Sequence, residues 1–76
     1  MRLKAIREDR DYTQEEIAKI LNVKQNTYSQ YENENRQIPI EALIKLALFY
    51  DLSLDYILEL IKDPEPLKRK NKEVKE

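Results

Sequence analysis

Between Thr13 and Glu32 the chain carries the signatures of two short helices with only Asn22-Val23-Lys24 to link them. Thr13 is followed three residues later by Glu16, a spacing that lets hydroxyl and carboxylate each bond the other residue's free backbone N–H at a helix start. Tyr12 is placed to staple onto Ile17. Ile17, Ala18, Ile20 and Leu21 form the apolar side of this first helix. Asn22, a residue type that tolerates the left-handed conformation, ends it. A second helix follows over Gln25 to Asn33. Tyr28 and Tyr31 share its inner face at i, i+3, while Gln25, Asn26, Ser29 and Gln30 cover its outer side.

The flanking segments extend the same helical pattern. Arg2 to Arg10 reads as an amphipathic helix with Leu3 and Ile6 on one stripe, broken at Asp9-Arg10-Asp11-Tyr12. After the polar stretch Asn33 to Gln37, Pro39 suits the first turn of a helix running to Tyr50. Leu43, Leu46, Ala47 and Tyr50 form its buried face, which Ile40, Ile44 and Leu48 are expected to broaden. Asp51 ends it, and Ser53 caps a last helix from Leu54 to Ile61 that is apolar almost all round. The expected fold class is therefore all-α, a compact five-helix bundle. Three Pro and no Gly in 76 residues agree with it.

The absence of Cys and His removes disulfides, thiolate chemistry and the usual zinc ligands, so packed helices must supply the stability. With no Gly-rich phosphate loop either, no metal, cofactor or enzymatic role is expected. The paired acids Glu15 and Glu16 suit a helix start. No apolar run approaches the roughly 20 residues of a membrane span, and no signal-peptide pattern follows Met1. A soluble cytoplasmic protein is the expectation. Residues 1–62 are expected to form the domain. From Asp63 the Asp-Pro-Glu-Pro run blocks a helix, and residues 63–76 read as a flexible tail of mixed charge whose Lys68–Lys72 run is a solvated feature.

Arg2-Leu3-Lys4-Ala5-Ile6-Arg7, Tyr12-Thr13-Gln14-Glu15-Glu16-Ile17-Ala18, Asn22-Val23, Tyr31-Glu32-Asn33, Pro39-Ile40-Glu41-Ala42-Leu43 and Leu52-Ser53-Leu54-Asp55-Tyr56 occur in that order. The ordered set resembles the phage repressor and Cro-type (XRE family) helix-turn-helix DNA-binding domains. The resemblance implies a lambda-repressor-like bundle whose second and third helices form the helix-turn-helix, the third lying in the major groove. It further implies that Gln14 donates to a DNA phosphate and that Gln25 and Asn26 read base edges, a role suited to amides that can bond adenine bidentately. Ser29 and Gln30 match positions touching bases or nearby backbone, and Thr27 faces inward or meets phosphate. Lys24, Asn33, Asn35 and Arg36 would flank the groove. Arg7 and Glu32 match a partly buried ion pair that ties the first helix to the third. Where the family often has Gly after a helix, this chain has Asp11, Asn22 and the Asn33–Asn35 stretch.

Charge shapes the expected mode of action. The chain has 14 basic and 15 acidic residues, and between Thr13 and Asn33 only Lys19 and Lys24 are positive. A single copy should therefore hold DNA weakly. Tyr56, Ile57, Leu60 and Ile61 on the last helix exceed what a small core can cover, so a homodimer through that helix is expected, on a near-palindromic operator. The expected function is sequence-specific binding of double-stranded DNA as a small transcriptional regulator, most simply a repressor. The alternative is a protein-interaction module, for example an antitoxin-like partner protein, that retains the fold.

Overall fold

The computed structural model describes residues 1–60, and these form five helices with no strand among them. They are α1 (Leu3–Asp9), α2 (Gln14–Leu21), α3 (Gln25–Glu32), α4 (Ile40–Tyr50) and α5 (Leu54–Ile57). The 63–76 tail, its Lys68–Lys72 run and Ile61 lie outside the described residues.

Local chemistry sets the helix starts. At α2, Thr13 Oγ1 accepts from the Glu16 N–H at 3.1 Å and Glu16 Oε1 accepts from the Thr13 N–H at 2.9 Å, the reciprocal box the spacing predicts. Ser53 Oγ likewise accepts from the Tyr56 N–H at 3.1 Å to start α5. Pro39 caps α4 from outside, with φ −64° and ψ 150°, rather than occupying its first turn. A proline ring accepts that φ in either place.

All five helices leave through one motif. Asp11, Asn22, Glu34, Asp51 and Glu59 have φ between 58° and 68°. The N–H of the residue after each reaches back five positions: Tyr12 to Arg7 O, Val23 to Ala18 O, Asn35 to Gln30 O, Leu52 to Ala47 O and Leu60 to Asp55 O, at 2.7–3.0 Å. This is the left-handed closure that proteins usually entrust to Gly. After α3 the left-handed residue is Glu34, not one of the flanking asparagines that the sequence favours.

The core draws on every helix. Leu3, Ile6, Ile17, Ala18, Leu21, Tyr28 and Tyr31 meet Ile38, Leu43, Leu46, Ala47, Tyr50, Leu52 and Ile57. Tyr28 and Tyr31 are buried, as their spacing predicts. α2 packs mainly against α3 and α4, and α4 against α5. Tyr12 places its ring against Phe49 and Tyr50, with centroids 5.2 and 6.4 Å away.

Two expectations are corrected. Ile40, Ile44 and Leu48 do not widen the buried face of α4; they are 55, 44 and 52% exposed. Their i, i+4, i+8 stripe turns away from the core, and only Leu43, Leu46, Ala47 and Tyr50 point in. The last helix also stops at Ile57 instead of running to Ile61. The next helical bond would join the Glu59 N–H to the Asp55 carbonyl; instead Glu59, at φ 68°, donates to the Tyr56 carbonyl at 3.0 Å, Asp55 accepts from the Leu60 N–H at 2.7 Å, and the Arg2 N–H takes the Ile57 carbonyl at 2.9 Å.

Candidate DNA interface

α3 and its surroundings hold most of the residues singled out in the sequence. Lys24 precedes the helix as its N-cap residue, and Gln25 and Asn26 occupy its exposed first turn. Ser29 and Gln30, four residues further on, continue the same side one turn later and are half-buried. Thr27 is half-buried, while Tyr28 and Tyr31 hold the opposite side of the helix in the core. Asn33, Asn35 and Arg36 are exposed in the segment between α3 and α4. The result is an outward face of short amides and hydroxyls on a helix anchored by two tyrosines.

Behind this face lies a charged knot joining three helices. The Arg7 guanidinium of α1 donates to Glu32 through Nε at 2.6 Å and through a terminal nitrogen at 3.3 Å. Its other terminal nitrogen donates to the Tyr12 carbonyl at 2.8 Å. The Glu32 side chain is 1% exposed and that of Arg7 10%. Gln14, in the first turn of α2, donates its amide to Glu32 Oε1 at 3.1 Å. Sequence comparison placed Gln14 only toward phosphate. Its tie to Glu32 had no separate sequence signal, because it depends on α2 starting beside the end of α3.

Electrostatics support the knot. Burial pushes the Glu32 carboxyl up, but Arg7, the nearby Tyr28 hydroxyl and the Gln14 amide outweigh it, so the group titrates below the usual carboxylate range. Burial drives the Tyr28 hydroxyl well above the ordinary tyrosine value, and it pushes Tyr50 up to about 12. The buried Tyr50 hydroxyl has no hydrogen-bond partner among the described residues, and that of Tyr28, though it makes no hydrogen bond of good geometry, lies close enough to Glu32 to favour its carboxylate. Glu32 is thus held ionised while the phenols beside it stay neutral.

The residues assigned to a dimer surface on α5 do not form one patch. Ile57 is 0% exposed and belongs to the core, because the end of α5 folds inward under α1. Tyr56 is half-buried with the Arg2 guanidinium 4.5 Å over its ring. Leu60 is 70% exposed. Among the described residues no group of His, Cys, Asp and Glu could hold a metal ion, and no helix is long and apolar enough to cross a membrane.

Comparison with known proteins bears on the same residues. A family model described as helix-turn-helix matches residues 3–57. Among curated proteins, the chain is 39% identical over 71 residues to the uncharacterized HTH-type transcriptional regulator YobD of Bacillus subtilis (strain 168), covering 92% of this chain and 63% of that protein. It is 42% identical over 57 residues to the HTH-type transcriptional regulator ImmR of the same strain, covering 75% and 45%. It is 38% identical over 64 residues to the cryptic phage CTXphi transcriptional repressor RstR of Vibrio cholerae, covering 84% and 55%. The chain therefore spans between 45 and 63% of the length of these relatives. No solved structure matches. The matched region contains all five helices, the Arg7–Glu32 knot and the amide face of α3, and the chain belongs to the helix-turn-helix family.

Proposed function

We propose that this chain regulates transcription by reading a specific duplex DNA site as a homodimer, with α3 in the major groove. The observation that carries the reading is the outward face of α3. Gln25 and Asn26 stand exposed at its start, on a helix whose other side is locked into the core by Tyr28 and Tyr31. Amide side chains on a rigid helix can bond the N6 and N7 edge of adenine in two places at once. Gln14 adds a contact to the backbone. One of its two amide hydrogens is committed to Glu32, and the other donates to phosphate. Lys24, Asn33, Asn35 and Arg36 border the groove, with Thr27, Ser29 and Gln30 close behind. Repression follows most simply, by occupying an operator that overlaps a promoter. Residues 1–62 act as the reading domain and 63–76 as a charged tail. The role is binding, not catalysis, and it places the protein in the cytoplasm.

Selection of bound sequences from a random duplex pool should return a near-palindrome with half-sites one helical turn apart. Gln25→Ala and Asn26→Ala should each lose about 1–3 kcal/mol of discrimination at one base position while the circular dichroism spectrum is unchanged. Retention of full sequence preference in the double variant removes the assignment of α3 as the reader.

A further inference from the structure

The outer face of α4 carries apolar surface that the described part of the molecule leaves uncovered. Ile40, Ile44 and Leu48, 55, 44 and 52% exposed, follow one another at single-turn spacing and make a continuous stripe. They differ from Phe49 of the same helix, which is 39% exposed but rests against the rings of Tyr12 and Tyr50. Glu41 and Lys45, also one turn apart and exposed, border the stripe on its outer side. Among the described residues neither makes an ion pair.

The charge order identifies what fits here. A uniformly acidic or basic partner surface meets one of the two charges with its own sign. A second copy of the chain, lying antiparallel with the twofold axis beside Ile44, satisfies both. That operation keeps the charged border of both helices on one side. It brings Glu41 of each copy within one turn of Lys45 of the other, sets Ile40 against Leu48, and places Ile44 against its own counterpart. A parallel pairing instead puts the two charged borders on opposite sides of the stripe, so that neither Glu41 nor Lys45 meets its opposite charge.

We propose that the Ile40–Ile44–Leu48 stripe is a homotypic interface on which a second copy of this chain packs in antiparallel register. The proposal rests on the homodimer reading above and moves its surface from α5 to α4. A stripe of three aliphatic residues offers less than the roughly 800 Å² per partner of a standard stable interface, so association is concentration-dependent.

Sedimentation equilibrium of the full chain from about 10 to 500 µM, a span suited to an interface at the small end of the range, tests it. The wild type should self-associate, and Ile44→Glu should weaken association at least tenfold without changing the melting curve, since the side chain lies outside the core. Glu41→Lys and Lys45→Glu should each weaken association, and the double exchange should restore it. If the single exchanges leave association unchanged or strengthen it, the antiparallel register is overturned. If Ile44→Glu associates like wild type while Leu60→Glu does not, the α4 surface is overturned and the homodimer reading stands. If the wild type is monomeric throughout, both fall, and the DNA assignment of α3 is judged separately by the site-selection experiment.

Discussion

Glu32 is the residue through which α3 is tied to the rest of the molecule. Its carboxylate takes a fork of bonds from Arg7 and one from Gln14, so a single buried charge ties α3 to α1 and α2. Removing one partner of such a pair leaves the other charge desolvated and alone. Arg7→Leu should therefore lose about 3–5 kcal/mol in urea denaturation, with Arg7→Met/Glu32→Leu recovering much of it. The pH dependence follows from the same bonds. The folded-state pKa of Glu32 is depressed, so its contribution is complete above the unfolded carboxylate pKa and disappears as pH falls through the folded one. Wild-type stability should decline with acidification below the usual carboxylate range, and Glu32→Gln should flatten that slope. Tyr50 behaves oppositely. Its pKa is raised to about 12, so its contribution is complete below the ordinary tyrosine value near 10 and is lost as pH rises toward the folded value. Its hydroxyl is buried without a partner, so Tyr50→Phe should leave neutral-pH stability equal or higher, by up to about 1 kcal/mol, and should delay alkaline unfolding.

The helices are short, and their ends decide much of their stability. A left-handed conformation costs a side-chain-bearing residue about 1–2 kcal/mol, least for Asn and Asp. Glu34 and Glu59 have no such allowance, yet stand at φ 59° and 68°. Their carboxylates also lie at helix C-termini, where the macrodipole disfavours negative charge. Glu34→Gly should raise the unfolding free energy by about 1 kcal/mol in thermal or urea melts. The exposed ion pair it removes from the Met1 amino group offsets little of that gain. These ends also show what a sequence discloses. The α2 start was legible because Thr13 and Glu16 act through bonds between near neighbours. The Asn22 exit was legible because the residue type matches its conformation. Glu34 was not, since nothing local marks a glutamate as left-handed; the position is imposed by the path from α3 to Ile38. The same division holds for the α4 stripe and for the early stop of α5. Both depend on which helix lies beside which, as the Arg2–Ile57 bond makes plain. On α3, the outward placing of Gln25 and Asn26 was readable from the helical pattern and their proposed part in reading DNA only from the family resemblance, whereas the Gln14–Glu32 bond required the packed α2–α3 pair.

At the scale of the whole molecule, charge governs how DNA is approached under the proposed function. Residues 1–61 carry 8 basic and 11 acidic side chains, a net of −3, and the cations flanking α3 in sequence are Lys24 and Arg36. Binding that releases few counterions varies gently with salt. Fluorescence anisotropy on non-cognate duplex should give a slope of log K against log salt of roughly −2 to −4 per protomer. Under the proposed function, selectivity then comes from base edges and pairing of copies more than from general attraction.

The bond between the Arg2 N–H and the Ile57 carbonyl, reinforced by Arg2 Nε on the Tyr56 carbonyl at 2.9 Å, has a topological consequence. The backbone enters the bundle and leaves it at one place, so the five helices form a nearly closed loop of chain. Such a unit can be spliced into a longer polypeptide at a single seam without stretching anything. It can equally be reopened elsewhere, at the exposed link between α3 and α4, with a short peptide bridging the old seam. The order of helices along the chain is in this sense separable from their arrangement in space.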